Sequence, residues 1–237
     1  FYSASSVCTP SRAGLLTGRL PIRNGMIGKQ SRVLFPNSKY GLPDSEITIA
    51  EKLKESGYKT AAIGKWHLGT SRSCQPEFQG YDFTAVINGP HLPGKYRVQN
   101  NPELKPNQGQ YRTEFEADLS VKFIQQKRDK PFFLMVSPFA VHIPLGAMSE
   151  KVEKYKAKGR QTGDSLPHPV YAAMVEHCDD MVGRIVDAVE DAGIEDNTMI
   201  VFTSDNGGLY RRYNYPEPPD DNVKSKKPLK GEKRSSL

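Results

Sequence analysis

Apolar residues recur along this chain with two periods, near 3.6 and near 2, and segments of the two kinds alternate as in an α/β layer fold. The first helix is predicted over residues 10–17, with Thr9 as N-cap, Pro10 as the first helical residue and Gly18 as the stop. Residues 44–56 (DSEITIAEKLKES) place Ile47, Ile49, Ala50 and Leu53 on one side of a second helix, which Gly57 ends. A strand follows over 58–63. Residues 69–111 are rich in Gly, Pro, Asn and Gln and read as irregular surface excursions.

Periodicity resumes at 114–126, a helix with Phe115, Leu119, Phe123 and Ile124 facing inward. PFFLMVSPF at 131–139 is nearly all apolar and reads as a strand buried on both faces. Residues 145–168 read as a loop containing a basic, amphipathic piece. From 170 to 192 helical spacing links Tyr171, Met174, Val175, Cys178, Met181, Val182, Ile185, Val186 and Val189, and Gly193 is the stop. MIVFTS at 199–204 is the last predicted buried strand.

The polar segments that leave these strands matter most. Parallel sheets gather ligands beyond the carboxyl ends of their strands. GKWHLG follows the strand ending at Ile63, AVHIP follows the strand at 131–139, and SDNGG follows MIVFTS. The three are expected to share one site.

Composition narrows the partners. With 237 residues and 37% hydrophobic content the chain reads as a single domain, and no stretch approaches a membrane span. The net charge of +6 is uneven: residues 1–69 carry +6, residues 210–237 carry +4, and the segment between carries −4. Positive charge thus lies with most of the candidate site residues, which suits an anionic substrate. No basic stripe interleaved with aromatics is present, so a nucleic-acid partner is not expected. Three cysteines without regular spacing give no disulfide framework, and Cys74 and Cys178 have no metal-ligand spacing.

Cys8 stands apart. It opens CTPSRAGLLTGR, residues 8–19, at the positive end of the first predicted helix, where free N–H groups and the helix dipole favour an anion. Arg12, one turn further on, offers a planar guanidinium clamp for oxyanions. A lone cysteine is ordinarily a small buried hydrophobe, but these twelve consecutive residues resemble the modification signature of the type I sulfatases. The resemblance implies an alkaline-phosphatase-like layered α/β fold with a largely parallel central sheet flanked by helices. It also implies that Cys8 is oxidised to Cα-formylglycine, whose aldehyde hydrate attacks the sulfur of a sulfate ester.

The other motifs resemble the family in their order along the chain. GKWHLG implies Lys65 as a contact to the sulfate and His67 as partner of the formylglycine hydrate and base in release of the covalent sulfate. His142 of FAVHIP matches the histidine that helps protonate the leaving group. Asp205 and Asn206 of TSDNGG match one pair of metal ligands for a single Ca2+, which the formylglycine from Cys8 also approaches. In PLKGEKRSSL, Lys233 matches a lysine that reaches the sulfate, with Lys230 the alternative if the register shifts. The family has a small Gly/Thr run after that lysine, where this chain has Arg234, Ser235 and Ser236.

One departure stands out. The family draws its first two metal ligands from adjacent aspartates at the end of a first strand upstream of the cysteine, and no such pair precedes Cys8. Asp179 and Asp180 lie inside a predicted helix, and Asp220 and Asp221 lie in a Pro-rich loop, so neither pair substitutes. Both ends read as cut, so residues 1–237 are expected to form one incomplete sulfatase catalytic domain, with half a metal site and little activity by itself.

The resemblance implies a sulfated small molecule or glycan as substrate and a formylglycine-generating enzyme as maturation partner. FYSASSVCTPSRAGLLTGRLPIRNG is closest to the arylsulfatase A and N-acetylgalactosamine-6-sulfatase branch, whose relatives are lysosomal, secreted or periplasmic. Two other readings remain: a phosphomonoester or phosphonate hydrolase of the same superfamily, and a non-catalytic binder of sulfated glycans.

Overall fold

In the computed structural model, which describes residues 2–28, 33–34, 38–158 and 168–207, helix α1 (Cys8–Thr17) starts two residues ahead of the sequence expectation. Val7 is its N-cap, with extended backbone and no side-chain cap. Thr9 does not cap because its hydroxyl donates to the His67 carbonyl (3.1 Å) and accepts from the Leu34 amide (3.4 Å). Gly18 closes the helix in the left-handed region, at φ 64°.

Helix α2 (Ile49–Glu55) is shorter than predicted because a capping box fixes its start. Thr48 Oγ1 accepts from the Glu51 amide, while the Glu51 carboxylate accepts from the Thr48 amide at 2.7 Å. Ile47 therefore falls outside the helix, and both Ile47 and Ile49 are exposed. Strand β1 (Lys59–Gly64) follows, one residue later than the strand expected over 58–63.

The stretch from 69 to 111 departs most from expectation. It holds strand β2 (Phe83–Asn88), strand β3 (Arg97–Val98) and two short 3-10 turns at Arg72–Cys74 and Pro76–Phe78. Helix α3 (Arg112–Ile124) buries Phe115, Leu119, Phe123 and Ile124 as predicted. Strand β4 (Phe132–Ser137) is half-buried along its whole length instead of enclosed on both faces. The basic piece after it is a helix, α4 (Ser149–Ala157), and α5 (Pro169–Asp191) matches its predicted span closely.

The four strands form one sheet in the order β3-β2-β1-β4, with β1 parallel to both β2 and β4 and only β3 antiparallel. The largely parallel α/β layering expected from the sequence is thus present. Period-2 alternation splits the core between the two faces. Ala62, Val86, Phe133 and Met135 pack toward Ala13 and Leu16 of α1 and Ala50 of α2, while Ile63, Ala85, Ile87 and Leu134 pack toward Phe115 and Leu119 of α3. Each fully buried aliphatic or aromatic side chain among them contributes about 1.5–3 kcal/mol. Helix α5 covers the outer side of α3 through Ile185, Ala188 and Val189.

β4 is an edge of this sheet, and MIVFTS at 199–204 does not pair with it or with any strand among the described residues. Met199, Val201 and Phe202 are 87%, 73% and 78% exposed. A run with strand-like composition becomes a strand only when a neighbour satisfies its backbone, and among the described residues none stands beside this one. Among the described residues no helix is long and apolar enough to cross a membrane.

Candidate active site

Three segment ends and one helix start converge beyond the carboxyl edge of the sheet. The β1 exit is anchored by Trp66, whose indole N–H donates to the Cys74 carbonyl at 2.6 Å and whose ring meets Tyr81 edge-on. Burying Trp66 and Leu68 leaves the alternate residues Lys65 and His67 half-buried. Gly64 makes the approach possible: at φ 107° it lies so close to β4 that a Cβ would stand 2.2 Å from the Ser137 carbonyl oxygen.

Cys8 is 2% exposed, and the Lys65 ammonium donates to its sulfur at 3.5 Å. Arg12 is nearly as buried. Its Nη1 donates to the Lys65 carbonyl (2.8 Å) and to Ser137 Oγ (2.9 Å), and its Nη2 lies 3.3 Å from Asp205 Oδ2. The Ser11 hydroxyl also donates to the Asp205 carbonyl. One helical turn therefore ties together the ends of β1 and β4 and the segment after residue 204. The guanidinium is committed to protein partners more fully than an open oxyanion clamp would be.

His67 sits at φ 65°, with Nε2 against the Leu34 carbonyl at 2.8 Å. A carbonyl only accepts, so Nε2 carries the proton and Nδ1, buried without a hydrogen-bond partner among the described residues, keeps its lone pair. His142 is arranged the other way: Nδ1 meets the Ile143 carbonyl at 2.6 Å, which leaves Nε2 as the exchangeable nitrogen. Its ring packs on Phe139 at 4.7 Å, and the Lys65 ammonium lies 5.5 Å from the centre of the same ring. Phe139 thus joins His142 to the Lys65–Cys8 cluster.

Asp205 and Asn206 stand beside Arg12. The Asn206 side-chain amide nitrogen donates to the Gly207 carbonyl, and Asn206 Oδ1 is buried with no hydrogen-bond partner among the described residues. An orphaned buried oxygen beside a carboxylate suits a hard cation. Among the described residues no group of three His, Cys, Asp or Glu could hold a metal, so these two donors do not by themselves make a complete site. Lys233 and its alternative Lys230 lie outside the described residues. Asp180 pairs with Lys151 at 2.7 Å across α4 and α5, away from the site.

Sequence reasoning missed Ser137, Phe139, His91, Arg112 and Glu116. Ser137 is the one hydroxyl in the predicted strand 131–139, two residues from its end, and Arg112 and Glu116 are spaced i, i+4 with opposite charge, so both signals were present. His91, inside a segment read as irregular, carried no signal.

The Sulfatase family model matches residues 1–236, and the chain belongs to that family. The chain is 35% identical over 231 residues to N-acetylgalactosamine-6-sulfatase of Homo sapiens, covering 87% of this chain and 42% of that protein. It is 36% identical over 229 residues to an arylsulfatase of Hemicentrotus pulcherrimus, covering 87% and 39%. Among solved structures, Ps i-CgsB superposes with a TM-score of 0.72 at 31% identity, over 87% of this chain and 49% of that one. The same protein has been solved in complex with k-i-k-neocarrahexaose. The chain spans about two fifths of the length of the curated relatives it matches.

Proposed function

We propose that the protein hydrolyses sulfate monoesters with S–O cleavage, on a nucleophile derived from Cys8. The observation that carries this reading is the placement of Cys8 at the start of α1 with Lys65 Nζ 3.5 Å from its sulfur, inside the CTPSRAGLLTGR run. Oxidation of Cys8 to formylglycine by a formylglycine-generating enzyme supplies an aldehyde hydrate as nucleophile, a chemistry that an ordinary hydroxyl side chain lacks.

The chain's own residues divide the work. Lys65 offers an ammonium to the sulfate oxygens, and the start of α1 adds its positive end. Arg12 holds Lys65, Ser137 and Asp205 in register and lends its charge to the same point. His142, through Nε2, gives a proton to the departing alcohol oxygen. His67, through the unpartnered Nδ1, takes a proton from the position 8 side chain as sulfate leaves. Lys233 or Lys230 adds a further cation to the sulfate. A divalent cation, Ca2+ by the oxygen character of its donors, would be held by Asp205 and Asn206 together with the oxidised position 8, and would withdraw charge from the sulfate.

The substrate class proposed is a sulfated sugar. Support comes from the names of the relatives, an N-acetylgalactosamine-6-sulfatase and an arylsulfatase, and from the oligosaccharide bound to Ps i-CgsB. Residues 1–237 would then form part of a single catalytic domain. The test is the ratio of turnover on an aryl sulfate to that on the matching aryl phosphate, for the protein at its natural length. A ratio well above one supports the proposal; a ratio below one assigns the site to phosphoryl chemistry, and binding of sulfated glycan with no turnover of either ester assigns it to recognition.

A further inference from the structure

We infer that His91 is a positioning residue for His142: it ties the loop after β2 to the backbone of His142 and so sets the aim of that imidazole. The inference rests on the proton-donor role proposed for His142.

His91 is 1% exposed, and its Nε2 lies 2.7 Å from the His142 carbonyl oxygen. The carbonyl accepts, so Nε2 carries the proton and the tautomer is fixed. Burial holds the imidazole neutral, down to a pKa of about 4, with the nearby Arg112 charge adding to the effect and the hydrogen bond to the His142 carbonyl opposing it. A neutral ring donating one bond is suited to holding a backbone and unsuited to exchanging protons near neutral pH.

The His142 ring has little else to orient it. Its own Nδ1 bonds the adjacent Ile143 carbonyl, and its amide donates to the Phe139 carbonyl at 2.9 Å, so ring and loop move together. From outside the loop, His91 bonds the His142 carbonyl itself, while Tyr111 Oη holds the loop further on, at the Gly146 carbonyl. The His91 ring is 5.0 Å from Phe139, which is 4.7 Å from His142, so the hydrogen bond and the ring contacts run in parallel. His91 is itself immobilised by Arg112, whose amide donates to the His91 carbonyl at 3.0 Å. The Arg112 guanidinium donates to the Ile87 carbonyl (2.8 Å) and the Gly89 carbonyl, pairs with Glu116 at 2.9 Å, and lies 5.0 Å from the centre of the Phe139 ring. A fully buried ion pair on α3 thus backs the His91 loop and the Phe139 loop at once.

A proton donor matters most when the leaving alcohol is a poor one. That separates positioning from general support. The protein at its natural length, matured so that position 8 is oxidised, is compared with His91→Leu and His91→Gln on a sugar sulfate and on para-nitrophenyl sulfate, whose leaving group needs no proton. His91→Leu is expected to lower kcat on the sugar sulfate by about 10- to 100-fold, with less than about threefold loss on the nitrophenyl ester and KM unchanged. His91→Gln, whose amide N–H reaches the same carbonyl, restores most of the loss. If His91→Leu does not fold, His91→Asn, with an amide too short to reach, takes its place. Equal losses on both esters, no loss on either, or failure of Gln to restore the rate would each overturn the inference. If the wild-type protein cleaves neither ester, the sulfatase reading fails. His91 is then judged on the NMR signals of the His142 ring alone. A shift in His91→Leu that Gln reverses upholds positioning, and unchanged signals refute it.

Discussion

Arg12 Nη2 stands 3.3 Å from Asp205 Oδ2, and this pair binds the helix that presents Cys8 to the segment that presents Asn206. The same guanidinium serves the Lys65 carbonyl and Ser137 Oγ. Arg12→Ala leaves these acceptors without their donor and should lower unfolding stability by about 3 kcal/mol, read from urea denaturation. Arg12→Lys should recover less than half of the loss, because a single ammonium cannot reproduce the fork that spans three segments.

Glu116 and Arg112 are both fully buried and pair at 2.9 Å. Burial pushes the Glu116 carboxyl up, and the Arg112 charge pulls it back. Glu116→Leu strands a buried guanidinium and should cost about 3–5 kcal/mol. The double change Arg112→Met with Glu116→Leu should recover only part, since Arg112 also donates to the Ile87 and Gly89 carbonyls. Denaturant melts of the two variants check this, and full recovery would mean that those carbonyl bonds contribute nothing.

His91 and His177 are each held at a pKa of about 4, below the ordinary 6.5, chiefly by burial. The unfolded chain therefore binds more protons than the native one between these values, so stability rises with pH across that window. It is fully present above about 6.5 and is lost as pH falls toward 4. Thermal melts should show Tm dropping through this range, and replacing either histidine by Gln should flatten the drop. A Tm that is level from pH 6.5 to 4 in the wild type would contradict the burial effect.

The elements legible in the sequence are those whose stabilising contacts are local or whose face is clean. Gly18 and Gly193 stop α1 and α5 as read, and the inward set Phe115, Leu119, Phe123 and Ile124 of α3 holds. β2 was hidden because FTAVIN sits among Gly, Pro and Asn, and only its pairing with β1, more than 20 residues upstream, gives it a place in the sheet. MIVFTS failed for the converse reason, since its composition says strand but cannot say that a neighbour is present. At the site, Cys8, Arg12, Lys65 and Asp205 could be grouped from motif order, and the structure brings them together. Thr9 was misread because its hydroxyl is spent on a carbonyl 58 residues away. His91 meets His142 across 51 residues with no periodic signal, so the sequence had no means of pairing them.

Gly64 sets the spacing of the two loops that carry Lys65 and Ser137. Gly64→Ala meets both an unfavourable φ of 107° and the Ser137 carbonyl at 2.2 Å from the new Cβ. The left-handed backbone alone costs about 1–3 kcal/mol, and the contact forces β1 and β4 apart at the site. The variant should melt at lower temperature and lose activity beyond what its folded fraction explains. Retention of wild-type kcat would show that this spacing is not needed.

The central claim is that position 8 becomes an aldehyde within a cradle of cations. Peptide mass spectrometry of the fragment spanning Cys8, taken from active protein at its natural length, tests it directly. The account predicts the mass of formylglycine at position 8 in proportion to sulfatase activity, and a Cys8→Ala protein with neither. Active protein whose Cys8 peptide carries only the unmodified thiol would contradict it.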